Sequence, residues 1–102
     1  MTSQQAQFGV RCSALDVRRF SPFARFFFFL TFALTLEHIE NTFYSDRLAK
    51  YSQNDFVQAG YPAWTRGRFE QIALHEKTHV QRLSSAISAA GAKVPKPCEY
   101  SL

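Results

Sequence analysis

The pentapeptide His75-Glu76-Lys77-Thr78-His79 lies in a long segment whose apolar residues recur with the period of an α-helix. It matches the H-E-x-x-H motif of zinc proteases, in which two histidines bind the metal and the glutamate acts as base. Glu76 and His79 also form E-x-x-H, which is half of a di-iron carboxylate site in a four-helix bundle. The two interpretations place the metal on different faces of the helix, so the apolar stripe distinguishes them.

The apolar stripe of this helix favours the bundle interpretation. On a helical wheel of about 100° per residue, Glu76 falls near the centre of the stripe, His79 roughly 55° away and His75 about 95° away. A protease metal would lie between the two histidines, well off the stripe. The stripe itself consists of Phe69, Ile72, Ala73, Val80, Leu83, Ile87 and Ala90.

A preceding helix, expected from about residue 24 to 50, carries two carboxylates in its apolar half. Glu40 lies opposite the polar stripe, and Glu37 lies about 60° from Glu40 on the same wheel. An unpaired buried carboxylate costs several kcal/mol, so the acids of both helices and His79 favour a shared cation with oxygen and nitrogen ligands. Alternatively, these acids bond a tyrosine or an arginine in a plain core. The polar stripe is Thr31, Thr35, His38, Thr42 and Ser45.

The remaining segments predict a helical hairpin with an elaborated connection. Ser52 to Asp55 fits a capping box for a short helix, and Gly60 suits its C-terminal end. Pro62 is expected near the start of the second long helix, which Gly91 ends. No strand shows convincing alternation, so the fold class is all-α. We expect three segments: an irregular one over residues 1–23, the helical hairpin over 24–91 and a proline-containing tail over 92–102. The first segment is interpreted as a leader or as an artefact of the sequence.

Composition narrows the remaining classes. At 102 residues with 46% hydrophobic content the chain is one domain at most. The net charge of +4 is spread along the chain without a basic, aromatic-lined groove, so we expect no nucleic-acid partner. The apolar run over residues 26–36 is too short to span a bilayer, and no small-residue cleavage site follows it. Cys12 and Cys98 do not form a CxxC pair, which leaves a disulfide between them open.

From about Thr31 to Tyr100 the chain resembles the ferritin-like domain of desiccation-related and fungal stress-response proteins. The resemblance covers about two thirds of the chain and implies a helical hairpin that is half of a four-helix bundle. It also implies secretion, although the chain shows no clear signal peptide, so localisation stays open. The motifs that carry it are Ala33-Leu34-Thr35-Leu36-Glu37-His38-Ile39-Glu40, Phe43-Tyr44, Ala59-Gly60-Tyr61-Pro62, residues 66–72, His75-Glu76 and His79.

The resemblance also implies roles for individual residues. Glu37, followed by Tyr44 seven positions later, would be a terminal metal ligand, Glu76 the bridging carboxylate and His79 the nitrogen ligand. Glu40 would be a weaker, alternative ligand, and Tyr44 would hydrogen-bond near the site. The implied metal is iron, with manganese as the alternative, and the implied chemistry is oxidation of ferrous iron or reduction of peroxide. No catalytic residue is assigned, and whether the chain is an enzyme stays open.

The chain departs from the family pattern because the ligands of a third and fourth helix are not in this sequence. We expect either a homodimer that completes the bundle or C-terminal helices in a longer product, of which this chain is a fragment. The alternative function is a non-catalytic, stress-associated helical module. A zinc protease is the remote alternative, since Arg82 and Ser85 stand where a metzincin has its glycine and third histidine.

Overall fold

The computed structural model describes residues 9–12 and 22–102. In chain order it contains a strand β1 (Gly9–Arg11), a long helix α1 (Pro22–Lys50), a short helix α2 (Gln53–Gln58), a second long helix α3 (Thr65–Ala89) and a strand β2 (Glu99–Ser101). The helix α1 packs along α3, and this contact is the main one of the fold. The predicted all-α helical hairpin is confirmed, with a small sheet added to it.

The two long helices run antiparallel because the short connection between them reverses the direction of the chain. The guanidinium of Arg66, near the start of α3, donates hydrogen bonds to the carbonyl oxygens of Leu48 at 2.9 Å and Tyr51 at 3.0 Å. These carbonyls belong to the end of α1, where the last turn of a helix leaves acceptors without intrahelical partners. One arginine therefore fastens the two helix ends together.

The connection between the long helices follows the predicted capping chemistry. Ser52 caps α2, its hydroxyl accepts from the Asp55 backbone N–H, and the Asp55 carboxylate accepts from the Ser52 backbone N–H at 2.7 Å. Gly60 has φ of 91°, a left-handed conformation that side chains other than glycine rarely adopt. The helix α3 begins three residues later than Pro62, since residues 62–65 form a turn closed by a 3.0 Å backbone hydrogen bond.

The C-terminal tail is more ordered than the sequence indicates. After Gly91, β2 pairs antiparallel with β1 in the register Gly9↔Ser101, Val10↔Tyr100 and Arg11↔Glu99. Beside this sheet a disulfide joins Cys12 to Cys98. The expectation that no strand forms is therefore wrong, because three-residue strands are too short to show alternation. The sheet and the disulfide join the C-terminal tail to the N-terminal strand β1.

The core is small, and the tail contributes to it. Leu34 and Ile87 are the two fully buried apolar side chains among the described residues. His38, expected on a polar stripe, is buried as well, and the Pro95 carbonyl lies within hydrogen-bond reach of its ring. The prediction that His38 lies on a polar, solvent-facing stripe is wrong. The C-terminal tail covers this face of α1, which the helix pattern alone assigns to solvent.

No helix in the described part of the chain combines the length and apolarity that crossing a membrane requires. One side of α1 nevertheless exposes large apolar side chains. Their exposed fractions lie between 42% and 67%, and they are Phe26, Phe29, Phe32, Leu36 and Phe43. We call Phe29, Phe32, Leu36 and Phe43 the open face, since they fall within one 60° sector of the α1 wheel.

Candidate metal centre

Three predicted ligand residues meet between the long helices. Nδ1 of His79 lies 3.4 Å from Oε2 of Glu37 and 3.5 Å from Oε2 of Glu76. One potential ligand atom from each residue falls within 4.8 Å of the other two. Glu76 and His79 stand one turn apart on α3, and the antiparallel packing brings Glu37 of α1 against them.

One carboxylate oxygen of each glutamate in this cluster makes no hydrogen bond. Oε2 of Glu37 and Oε2 of Glu76 are buried, and neither has a hydrogen-bond partner among the described residues. Buried polar atoms are normally hydrogen-bonded, and a cation held between these two oxygens would satisfy both of them. Two carboxylates and an imidazole are ligands that iron, manganese and zinc accept. The residues present therefore fit a transition-metal ion.

The electrostatics of the cluster point the same way. Burial, and after it the neighbouring Glu76 carboxylate, raises the pKa of Glu37 to about 7, and the charge of His79 opposes this rise. The neighbouring Glu37 carboxyl group lowers the pKa of Glu76, and His79 lowers it further, although burial opposes both. Glu37 therefore holds a proton more readily than an ordinary glutamate, whereas Glu76 favours the ionised form. A cation bound at the cluster would compete with the proton on Glu37.

Access to the cluster is from one side. The side chains of Glu37 and Glu76 are 23% and 14% exposed, whereas that of His79 is 51% exposed. On the wheels of the two helices, His79 is displaced from the contact line toward the same side as the open face. The three ligand side chains are therefore accessible to solvent on the side of the hairpin where the open face lies.

Glu40 lies next to the cluster without joining its three members. Its pKa is raised, first by burial and then by the charge of the nearby Glu76 carboxylate. Its side chain is on the exposed side of α1. This position is compatible with the weaker, alternative ligand expected from the sequence.

Tyr44 lies farther from the cluster than the resemblance implies. Its ring packs against Phe69 of α3 at a centroid distance of 6.0 Å and against Phe43 at 5.4 Å. No hydrogen bond joins Tyr44 to Glu37 or Glu76 in the described part of the chain. The Tyr44–Phe69 pair lies two helical turns from the Glu37–Glu76 pair on both helices. Both pairs therefore agree with the same alignment of α1 against α3.

His75 does not contribute to the cluster formed by the described residues, and its side chain is exposed. Among the described residues, no third ligand side chain joins His75 and His79, as a zinc-protease site would need. Sequence reasoning missed His38, whose Nε2 is buried and unpartnered among the described residues. Its only signal was adjacency to Glu37, which is too weak to single it out.

An antiparallel helical hairpin with carboxylates and an imidazole between its long helices is an arrangement typical of helical bundle proteins that build sites from facing helices. The family profile of the ferritin-like domain matches residues 27–102, about three quarters of the chain. This chain belongs to the ferritin-like domain family. Neither the curated proteins nor the solved structures contain a significant match to it.

Proposed function

We propose that this chain is a ferritin-like metal protein in which Glu37, Glu76 and His79 form one half of an iron site. The observation that carries the proposal is the pair of buried, unpartnered carboxylate oxygens facing the His79 imidazole. Manganese is the alternative metal, because its ligand preferences are close to those of iron. Glu40 is the weaker, fourth ligand of the same half-site.

Each residue has a defined task in the half-site. Glu37 would hold the cation as a terminal carboxylate ligand, with its side-chain proton released to solvent. Glu76 would be the carboxylate shared within the completed site. His79 would supply the nitrogen ligand. When bound, two ferrous ions would each supply one electron, so that one hydrogen peroxide and two protons become two water molecules.

The second half of the site comes from a second copy of the chain. The open face borders the cluster on α1, and an exposed apolar surface of this kind marks an interaction site. Two hairpins packed by their open faces make four helices, and a two-fold axis between them places two sets of ligands face to face. Helices of a longer product would supply the same groups by another route.

The experiment that tests this proposal is sedimentation equilibrium of the purified chain with and without ferrous iron under anaerobic conditions, with mass and bound metal measured together. The expected result is a dimer that carries about two iron ions. A metal-free monomer overturns the proposal. A folded dimer without metal also overturns it and supports the non-catalytic helical module.

The proposed metal chemistry would serve a stress-associated role. It is supported by the likeness of residues 33–40 and 59–62 to the desiccation-related and fungal stress-response members of the family. Peroxide reduction would suit that role, since dehydration and oxidative stress both produce peroxides. Consumption of hydrogen peroxide by the iron-loaded dimer, followed spectrophotometrically, is the measurement that tests it; an iron-loaded dimer that leaves peroxide untouched overturns it.

A further inference from the structure

A second concave site lies at the end of the hairpin that carries the connection. A cavity of about 550 Å³ opens between α1, α2 and α3. Six aromatic side chains contribute to its wall: Phe43, Tyr44, Tyr51, Phe56, Tyr61 and Phe69. Small-molecule sites are typically about 300–1,000 Å³, mostly apolar, with a few polar groups that fix orientation. The cavity has that size and character.

This cavity is separate from the metal centre. Its wall comes nearest to the cluster at Tyr44 and Phe69. Tyr44 lies seven residues after Glu37 on α1, and Phe69 lies seven residues before Glu76 on α3. Seven residues of helix correspond to about 10 Å. The two aromatic rings lie 6.0 Å apart and fill the space between the sites. A molecule in the cavity would therefore not touch the metal ligands.

The charged groups of the cavity wall are Arg47 and Asp55, and they are not equivalent. The Asp55 carboxylate already accepts from the Ser52 backbone N–H at 2.7 Å and from its hydroxyl at 2.9 Å, which also lowers the pKa of Asp55. The Arg47 guanidinium lies 5.9 Å from the centre of the Phe43 ring. Within the described residues no carboxylate pairs with Arg47, so the wall presents an available positive charge.

We propose that this cavity binds an amphiphilic monocarboxylate, with its alkyl chain among the aromatic rings and its carboxylate at Arg47. Charge complementarity selects the anionic head group, and a guanidinium is suited to hold a carboxylate through two parallel hydrogen bonds. The apolar wall selects the chain, whose burial supplies most of the affinity. This site uses none of the metal ligands, although Phe43 of its wall also belongs to the open face.

The proposal is tested by isothermal titration calorimetry on the metal-free chain with three probes of one chain length, all below their micelle concentrations. Dodecanoate is the anionic probe, dodecyltrimethylammonium the cationic one and dodecanol the neutral one. We expect dodecanoate to bind at one per chain and the cationic probe to bind at least tenfold more weakly. Shortening the carboxylate should weaken binding by about fourfold for each CH₂ removed. Equal binding of the anionic and cationic probes overturns the proposal.

Two variants separate the head-group contact from the apolar wall. Arg47→Gln should weaken dodecanoate binding about three- to tenfold and leave dodecanol unchanged. Arg82→Gln, at an exposed arginine of α3 away from the cavity, is the matched control and should bind as the parent does. If Arg47→Gln also binds dodecanoate as the parent does, the assigned head-group site is wrong.

Ala59→Phe fills the cavity from the end of α2. Ala59 lines the cavity and has φ of −76°, which any residue accepts, so the substitution adds volume without backbone strain. We expect it to abolish binding of all three probes. Unchanged binding by this variant overturns the proposal. So does a parent chain that binds no carboxylate but forms a dimer that Ala59→Phe dissociates, because the occupant is then a second copy.

Discussion

Oε2 of Glu37 on α1 lies 3.4 Å from Nδ1 of His79 on α3, so the two long helices place an acid and an imidazole side by side between them. Glu76 approaches the same nitrogen at 3.5 Å. The pairing of a first-helix glutamate with an E-x-x-H turn on the next long helix is the geometric basis of the proposed half-site.

Replacing Glu76 by alanine should abolish iron binding while leaving helicity largely intact. Glu76 is the less exposed of the two glutamates of the cluster, and its removal takes away one buried oxygen without a hydrogen-bond partner. The metal-free variant should be no less stable than the parent, because a buried charge without a full partner costs free energy. Anaerobic equilibrium dialysis measures the bound iron, and far-ultraviolet circular dichroism measures the helicity.

Glu70→Ala is the matched control for this experiment. Glu70 lies on the same helix but pairs with Arg66 on the exposed side, so iron binding should be unchanged. Parent-like iron binding by Glu76→Ala would show that the half-site is wrongly assigned.

The two histidines of the pentapeptide should behave differently. His79→Ala should weaken iron binding about 10- to 100-fold, because it removes the only imidazole that faces Glu37 and Glu76 in the described part of the chain. His75→Ala should have no effect, since the His75 side chain is exposed and outside the cluster. Competition with a coloured chelator measures both affinities. Equal losses in the two variants would support the zinc-protease arrangement instead.

The raised pKa of Glu37 predicts an unusual pH dependence of stability in the metal-free chain. The pKa of Glu37 is about 7 in the folded chain against an ordinary value of 4.5, so the unfolded chain binds fewer protons between these two pH values. The free energy of unfolding should therefore fall as pH rises through this window, by about 1–2 kcal/mol from this group. Urea unfolding at pH 5 and pH 7.5 measures the change.

Glu37→Gln is the variant that isolates this contribution. Burial lowers the pKa of His38, which makes stability fall in the opposite direction, as pH drops below the ordinary histidine value of 6.5. Because His38 is present in both proteins, the difference between parent and Glu37→Gln cancels its effect. The parent should lose more stability than the variant between pH 5 and pH 7.5. Identical pH profiles would contradict the assigned proton on Glu37.

The disulfide should contribute much of the stability of so small a core. It joins residues 86 positions apart, and closing a loop of that length in the unfolded chain is worth about 2–4 kcal/mol. The urea midpoint of the parent should drop on addition of a reductant. The double variant Cys12→Ser with Cys98→Ser should start at the lower midpoint and not respond. A parent midpoint that reductant leaves unchanged would mean that the tail is held without the disulfide.

Local sequence patterns predicted the hairpin well because helix signals act over short distances. The Ser52 to Asp55 capping box and the ends of the long helices depend on neighbours within four residues. The meeting of Glu37 with Glu76 and His79 was anticipated from the E-x-x-H spacing and from the apolar half of α1 that carries Glu37, although most large apolar side chains of that half stay exposed.

The tail could not be predicted in the same way. Strand β2 pairs with β1 across almost the whole chain, and no periodicity in three residues indicates such a partner. The burial of His38 depends on where that tail lies, so the wheel of α1 alone assigned it to the wrong environment. The unpaired Arg47 and the cavity beside it likewise arise only when three helices meet.

The Cys12–Cys98 bridge and the backbone between the two cysteines make a closed covalent ring. Both long helices and all three residues of the metal cluster belong to the segment of chain that forms this ring. A single break in the exposed stretch around Gly60 would open the ring without releasing either piece, because the sulfur atoms still hold the two arms. The pairing of α1 with α3 is thus an intramolecular event whether or not the backbone between them is continuous. The two long helices are thus covalently connected twice, once through the linker that contains α2 and once through the tail and the disulfide.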